Sequence, residues 1–435
     1  MGRPLQSDTG GRSPMAFEAI DLTDLELFAD GFPDAVFTHL RERAPVWWHP
    51  ATEHTPDGQG FWVVSSHAEI MEVAADAVTY SSERAPGATG GGTILADLPF
   101  GYAPGVLLNM MDDPRHRRIR RLITPSVTPR ALALMEAELR GRARRIVDAV
   151  AERGACDFLS EVAVELPLQA VAALMGVPDG DRHDLMRWSN TTLDYEGREL
   201  DETNDRVADA AASMAAYGTA LIDEKRRQPG DDLISLAVHA TIDDDDHDDD
   251  GGTRPLSDLE LLMLFNLLVV AGSETTRNSI ALGMVALIDH PRQLHALRDD
   301  RSLMPSAVEE ILRWTTATLY NRRTATRDVV LGGAQIEQGA KVTLWWPSAN
   351  RDESVFADPF AFDITRTPNP HLTFGHRAHF CMGANLARME IRIMLDELLD
   401  RLEGFELTGP VERVRTNKHA GVCRVPMTFR QRANR

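Results

Sequence analysis

The stretch "HLTFGHRAHFCMGANLARMEI", residues 371–391, places one of the three cysteines of the chain directly before a helical pattern. Phe374 precedes Cys381 by seven residues, and Gly383 follows it by two. Apolar residues then recur at helical spacing, which predicts a helix over 384–403. The cysteine therefore lies at the start of a helix, in a loop of mostly apolar residues.

The chemistry of this loop favours a charged sulfur. Free N–H groups and the positive end of the helix dipole would stabilise the thiolate of Cys381. Gly375 and Gly383 have no side chains, so a flat ligand or a backbone donor can approach closely. A thiolate among apolar residues is costly unless another group takes its charge, and iron can do so. The loop therefore favours a metal-bound thiolate; an inert buried thiol is the alternative.

Composition narrows the class of protein. The 435 residues carry a net charge of −20, which argues against general nucleic-acid binding. Cys156, Cys381 and Cys423 are too few for a disulfide framework, which indicates a reducing compartment. The most apolar run, 261–272, is too short to span a bilayer, so we expect a cytoplasmic protein without a membrane anchor. Residues 1–16 carry no apolar core and are expected to form a disordered leader.

Helical periodicity dominates the rest of the chain. It predicts helices over 130–153, 205–226, 257–289, 304–314 and 384–403. Short strand patterns lie at 60–65, 328–345 and 424–429. The acidic run at 243–252 is expected to be a solvated loop. Because no Pro- or Ser-rich linker divides the chain, we expect a single domain over 17–435, mainly α with minor β.

A second motif lies within the longest predicted helix. Ser257 and Glu260 form a capping box that fixes the start of this helix. The helix is nearly all apolar until it reaches "AGSETT", residues 271–276. A buried acid is costly, and a hydroxyl within a helix can bond back to an earlier carbonyl and bend the helix. The motif favours a proton relay, in which Thr275 holds a water and Glu274 supplies protons. A solvent-facing notch, or a helix crossing at the glycine, is the alternative.

Glu310 and Arg313 form a third motif, in "SAVEEILRW". Such a pair, three residues apart on a helix, is common and weakly specific by itself. Here apolar neighbours surround it, so we expect a partly buried structural pair beneath the cysteine loop. Arg366, in "FDITR", is the candidate third member.

Basic residues gather in "DDPRHRRIRRL", residues 112–122. His116 and Arg120 are four residues apart and share one face of a predicted helix, while Arg117 and Arg121 share a neighbouring face. A solvated basic helix is one interpretation. The other is a set of charge-assisted donors to buried anionic groups, formed by His116, Arg120, Arg323 and His379.

Taken together, these motifs resemble the cytochrome P450 family of haem-thiolate monooxygenases. The segments "GSETT", "EILR", "FDITR" and "FGHRAHFCMG" occur in the order and spacing of that family, and the match covers most of the chain. The resemblance implies the cytochrome P450 fold, in which a long central helix lies over a haem beside small β-sheets.

The resemblance also implies roles for individual residues. Cys381 would be the axial thiolate to the iron of heme b, and Glu274 and Thr275 would be the acid–alcohol pair that protonates bound O2. Electrons would come from NAD(P)H through a ferredoxin and a ferredoxin reductase, with the basic patch near Arg117 and Arg121 facing the acidic donor. Four cations would contact the haem propionates: His116, Arg120, Arg323 and His379.

Arg377 departs from the pattern of the family, which usually has glycine at this position of the cysteine loop. Glycine there serves a tight turn. Arg377 must therefore either adopt a backbone conformation open to ordinary residues or accept strain.

The substrate is less clearly encoded. "SETTRN" and "SANRDE" resemble bacterial relatives that oxidise steroids, sterol side chains and methyl-branched isoprenoids. The Gly-rich segment 84–108 would be a mobile lid, and 316–320 would line the pocket, where Thr318 and Leu319 suit an apolar ligand. We expect a monooxygenase that inserts one oxygen atom of O2 into a C–H bond of a hydrophobic substrate, a steroid or isoprenoid-like lipid.

Other functions remain open at this point. A natural-product tailoring hydroxylase that acts on polyketides, macrolides or terpenoids would need the same large apolar pocket. A peroxide-driven enzyme, or a non-catalytic haem-binding or partner-recruiting domain, would be expected to lack parts of the pair Glu274 and Thr275.

Overall fold

The structure is a computed structural model, and it describes residues 16–193, 205–243 and 252–432. The predicted leader at 1–16 and the acidic run at 243–252 lie, apart from their end residues, outside the described residues. The expectation of one domain over 17–435 stays a prediction.

Thirteen α-helices make up most of the described part of the chain, which confirms the class mainly α with minor β. The five predicted helices are all present, with ends that differ from the predicted ones by at most two residues. In chain order the helices are α1 Asp34–Arg43, α2 His67–Ala75, α3 Arg115–Ile123, α4 Pro129–Ala151, α5 Glu165–Met175, α6 Arg182–Leu193, α7 Asp205–Arg227, α8 Leu233–His239, α9 Asp258–Asp289, α10 Pro291–Asp299, α11 Met304–Thr315, α12 Trp346–Ala349 and α13 Ala384–Arg401.

Helix α9 runs through the core and contacts α5, α7, α11 and α13. Its start is fixed as predicted: the Ser257 hydroxyl accepts the Glu260 N–H at 3.2 Å, and the Glu260 carboxylate accepts the Ser257 N–H at 2.7 Å. Of the helices described, α9 alone has the length and composition that could cross a membrane, a criterion that buried core helices also meet. Apolar residues on all sides suit its position between other helices.

Sixteen short strands form small separate sheets in the described chain. The largest sheet has five strands in the order β1-β2-β12-β9-β3, and β12 pairs parallel with β2 and antiparallel with β9. The strands are β1 Val46–His49, β2 Phe61–Val64, β3 Tyr80–Ser81, β4 Gly90–Gly91, β5 Leu98–Pro99, β6 Ala155–Asp157, β7 Thr241–Asp243, β8 Thr253–Pro255, β9 Tyr320–Ala325, β10 Val329–Leu331, β11 Ala334–Ile336, β12 Lys341–Trp345, β13 Leu402–Leu407, β14 Glu412–Arg413, β15 Val422–Arg424 and β16 Pro426–Gln431.

Strand β9 matters most for the site, and the sequence gives little sign of it. Its residues "YNRRTA" show no apolar alternation, yet nearly all of them are buried. Arg322 and Arg323 are 2% and 5% exposed, respectively. Pairing with β3 on one side and β12 on the other holds this polar strand inside the sheet and fixes the position of Arg323.

Candidate active site

A cavity lies between α9 and the loop that precedes α13, with an empty space of about 1380 Å³ that includes the part open to solvent. Gly272 and Thr275 line it from α9, and Gly375 and Cys381 line it from the loop. Six of the seven residues that the sequence predicts for the site meet here, and Glu274 does not. The six are His116, Arg120, Thr275, Arg323, His379 and Cys381.

The loop holds Cys381 at the base of this cavity. The Cys381 N–H donates to the Phe374 carbonyl at 2.8 Å, and Gly375 makes the turn between them possible with a φ of +73°. Cys381 lines the cavity, and desolvation by the surrounding protein raises the pKa of its thiol. The Gly383 N–H and the Arg120 charge lower the same pKa in part. The thiolate therefore needs a further positive partner.

Arg377 accepts backbone strain. Its φ is +56°, in the left-handed region that favours glycine, and its side chain is exposed. The Phe380 N–H donates to the Arg377 carbonyl at 3.0 Å, which closes the short turn directly before Cys381. The tight turn is thus kept despite the missing glycine.

Two arginines bring positive charge to the cavity. Arg323 is buried, its guanidinium donates to the Arg322 carbonyl at 3.1 Å, and burial lowers its pKa to about 10. The Arg120 guanidinium donates to the Phe380 carbonyl. Within the described ranges neither arginine forms an ion pair with a carboxylate. Buried cations without an anionic partner are costly, so the cavity suits an anionic ligand group.

Two histidine rings lie against each other beside these arginines. The rings of His116 and His379 lie 4.2 Å apart, centroid to centroid, and His379 Nε2 is 3.0 Å from the Ser82 hydroxyl. Burial and the nearby charge of Arg323 lower the pKa of His379 to about 2, so its imidazole is neutral. A neutral ring can still donate one hydrogen bond to an anionic group.

Thr275 faces the cavity from α9. Its hydroxyl donates to the Ala271 carbonyl at 3.1 Å, as predicted for an alcohol within a helix. Helix α9 nevertheless runs without interruption from Asp258 to Asp289, so the expected local opening is not a break in the helix. The glycine of the motif has a packing role, because a Cβ on Gly272 would lie 2.5 Å from the Val171 side chain of α5. Gly272 thus gives room for α5 to cross α9, which is the alternative expected for this glycine from the sequence.

Glu274 points away from the cavity. Successive residues of a helix differ by about 100° in direction, so Glu274 faces sideways when Thr275 faces the cavity. It is 2% exposed, and burial raises the pKa of its carboxyl to about 7, against the opposing charges of Arg277 and Lys418. His419 is an ionisable neighbour, with Glu274 Oε1 and His419 Nδ1 3.5 Å apart. Glu274 therefore does not line the cavity that Thr275 lines, and its role as the proton source of the pair stays a prediction.

Glu310 and Arg313 form a buried ion pair, as predicted. Their side chains have no exposed surface, and Oε1 and Nη2 are 2.7 Å apart. Arg366 is the third member, with Nε 3.2 Å from Glu310 Oε2. Arg313 also donates to the carbonyls of Asn350 and Pro359, at 2.8 Å each. The network thus joins α11 to the chain that leads into the cysteine loop, and none of its members lines the cavity.

The pocket-lining segment 316–320 behaves as predicted only in part. Ala317 and Thr318 line the main cavity, but Leu319 is buried and lines a second, separate cavity. Adjacent residues of extended chain point to opposite sides, which explains why only one of the two contacts the main cavity. The end of the predicted lid contributes Leu108 to the lining.

Sequence reasoning missed Glu390 of α13. Glu390 lines the cavity and is 1% exposed. Burial raises its pKa well above the usual value. The sequence carries a sign of this residue, because Glu390 is an acid among Leu386, Met389 and Met394 on the apolar side of the helix.

The residues around the cavity fit a haem. Cysteine sulfur faces it from one side, cations without carboxylate partners lie at its edge, and glycines leave room for a flat ring. This donor set is typical of a haem-thiolate site. The class of protein that fold and site define is therefore a haem-thiolate enzyme.

The chain belongs to the cytochrome P450 family. The cytochrome P450 family model matches residues 183–427. A Mycobacterium tuberculosis protein named putative cytochrome P450 126 is 49% identical, over 94% of this chain and 97% of its own length. A steroid C26-monooxygenase of Rhodococcus jostii is 37% identical, over 96% and 86%, and a methyl-branched lipid omega-hydroxylase of Mycobacterium tuberculosis is 38% identical, over 94% of each.

Solved structures agree with this assignment. The structure of a Mycobacterium marinum cytochrome P450, CYP268A2, in complex with pseudoionone has a TM-score of 0.85 and 32% identity, covering 96% of this chain and all of that one. The protein is therefore an oxidoreductase of the P450 monooxygenase family, whose members bind haem iron and use O2.

Proposed function

We propose that the protein hydroxylates an unactivated C–H bond of a steroid or a methyl-branched, isoprenoid-like lipid. The observation that carries this proposal is the apolar part of the cavity lining, to which Leu108, Leu267, Ala271 and Ala317 contribute. Such a surface gains free energy by removing hydrocarbon from water and offers few groups to a charged ligand. The names of the steroid and lipid hydroxylases at 37–38% identity support the same substrate class.

In this proposal Cys381 ligates the iron of heme b, and His116, Arg120, Arg323 and His379 hold the propionates. Bound haem supplies the activation of O2, which thiolate ligation favours. The chain contributes the anion-binding cations, an apolar enclosure that excludes water, and a hydroxyl at Thr275 that holds a proton donor near the reacting oxygen. Glu274 does not line the cavity, and in this proposal it is the source of the protons that reach the Thr275 hydroxyl.

Electrons come, in this proposal, from NAD(P)H through a ferredoxin and its reductase in the cytoplasm. Arg117, Arg121 and Arg377 are exposed near the cysteine loop, and they oppose the overall charge of −20. An acidic electron carrier would be steered to such a patch.

Natural-product tailoring is the second candidate. Asn109 and Thr318 introduce two polar side chains into the lining, which would suit an oxygen-bearing polyketide or terpenoid.

Ligand titration tests the substrate class. Purified haem-loaded protein is titrated with cholest-4-en-3-one, a methyl-branched fatty acid, a terpenoid and a macrolide, and the Soret band is followed. We expect the first two to shift the band at micromolar concentration and to be hydroxylated when a surrogate ferredoxin and reductase are added. A shift and a product with the macrolide alone would instead establish the tailoring function.

A further inference from the structure

A second cavity lies further along α9 and reaches His419. Its empty space is about 980 Å³, including the part open to solvent. Exposed Asp30 and Asp289 lie at its rim, and Arg413 and Thr416 add polar groups inside. A polar cavity that reaches the surface holds water readily. Solvent can thus approach His419 without passing the apolar lining of the main cavity.

His419 stands in the wall between the two cavities. Its backbone bridges to Thr318, and the next residue, Ala420, donates its N–H to the Ala317 carbonyl at 2.8 Å. Ala317 and Thr318 line the main cavity, whereas His419 and Ala420 line the second. The two paired segments therefore fix the imidazole close to both cavities.

His419 and Glu274 lie close together but do not form a hydrogen bond with each other. His419 Nδ1 and Glu274 Oε1 are 3.5 Å apart, and each is a buried atom without a hydrogen-bond partner among the described residues. A small movement of either side chain closes this gap to a hydrogen bond. Two buried polar atoms without partners are costly, and a hydrogen bond between them, in which one proton is shared, removes that cost.

Other charged groups near Glu274 are already engaged. Lys418 donates to the carbonyls of Tyr320 at 2.6 Å and Thr93 at 3.2 Å, and Arg277 donates to Asn190 at 2.7 Å. They act on Glu274 through their charge, as its pKa reflects. Of the ionisable groups that face Glu274 in the described chain, His419 alone also lines the second cavity.

We propose that His419 passes protons between the second cavity and the carboxyl of Glu274, so that the acid of the acid–alcohol pair is supplied from outside the main cavity. A solvent proton forms the Nε2–H bond as the Nδ1–H bond breaks and its proton moves to the Glu274 carboxylate. Imidazole suits this role because one nitrogen can accept while the other donates. Burial lowers the pKa of His419 to about 3, so the ring is neutral and can do both.

The test follows a single proton and requires no substrate. Infrared difference spectra of the haem-loaded protein at pH 6 identify the Glu274 carboxyl band by its loss in Glu274→Gln, and the rate of its hydrogen–deuterium exchange is then measured after transfer to D2O. We expect His419→Phe and His419→Gln to slow this exchange threefold or more. His295→Gln, at an exposed histidine of α10, is the matched control and should leave the rate unchanged.

Exchange in His419→Gln within threefold of the natural protein would overturn the proposal, as would the absence of any carboxyl band that depends on Glu274. The reduced carbon-monoxide spectrum of each variant reports whether fold and haem are intact. Should His419→Phe fail to fold, the exchange rate of His419→Gln decides the outcome. The proposed relay rests on the proposed monooxygenase function for its purpose. The exchange measurement uses no substrate, so failure of every steroid or lipid to bind would leave its result unaffected.

Discussion

Glu310 and Arg313 face each other across one turn of α11 with no exposed side-chain surface, and Glu310 Oε1 lies 2.7 Å from Arg313 Nη2. The pair also binds Arg366, Asn369 and several carbonyls of the chain before the cysteine loop. Burial of two charges is tolerated because each is paired and hydrogen-bonded on several sides. The cysteine loop is therefore tied to an ion pair that lies about 70 residues before Cys381 in the sequence.

Glu310→Gln should lower the free energy of unfolding by about 3–5 kcal/mol, because it leaves the Arg313 charge buried without its partner. Urea unfolding followed by circular dichroism measures the change. The matched control is Asp223→Asn, which breaks the pair Asp223–Arg226 at the same spacing on the exposed side of α7. A surface pair contributes only about 0–1 kcal/mol, so similar losses in both variants would contradict the structural role.

Cys381→Ala should abolish the thiolate-type peak in the reduced carbon-monoxide difference spectrum, since no other cysteine lines the main cavity. Cys423→Ala, at an exposed cysteine, is the control and should keep the peak. A retained thiolate peak in Cys381→Ala would show that another residue ligates the iron.

Thr275→Ala should lower product formation by about tenfold or more while substrate binding is kept, because a positioned proton donor contributes roughly 10²–10⁴-fold. Electrons from NAD(P)H should appear as peroxide instead, which a peroxide assay quantifies. Thr219→Ala removes the same type of hydrogen bond, to the Ala215 carbonyl at 2.9 Å, on an exposed face of α7. Equal coupling in both variants would mean that Thr275 has no proton role.

Glu274→Gln should change how stability depends on pH. The carboxyl has a pKa of about 7 in the folded chain, above its usual 4.5, so the native state binds more protons between these values. Stability of the natural protein should fall as pH rises from about 4.5 to 7, by about 3 kcal/mol at about 1.4 kcal/mol per pKa unit. The Gln variant has no carboxyl at this position, so its free energy of unfolding should fall less between pH 4.5 and pH 7 than that of the natural protein. Urea unfolding across this pH range measures it, and parallel curves would contradict the raised pKa.

Arg377→Gly should stabilise the protein by up to about 1 kcal/mol, because glycine adopts a φ of +56° without strain. Arg377→Ala removes the same charge but keeps a Cβ, so it should bring no such gain. Thermal unfolding of the apo and haem-loaded forms gives the comparison, and equal effects of the two substitutions would assign any change to the lost charge.

The sequence alone indicated a metal-bound thiolate at Cys381, the long helix with its capping box, and the Glu310–Arg313 pair, and its resemblance to the cytochrome P450 family implied the haem. The first three depend on residues within one loop or one helix, where spacing along the chain fixes which groups meet. Arg377 was also recognisable as a departure, although only the backbone showed that strain, rather than a changed turn, was the outcome.

Tertiary structure decided the rest. Glu274 and Thr275 are neighbours in sequence, yet helix rotation sends one to the cavity and the other to His419, which lies 145 residues further along the chain. Strand β9 has no apolar pattern, so only its pairing within the sheet buries Arg323 at the cavity edge. Contacts of this kind arise from packing between distant segments, and no local pattern in the chain encodes them.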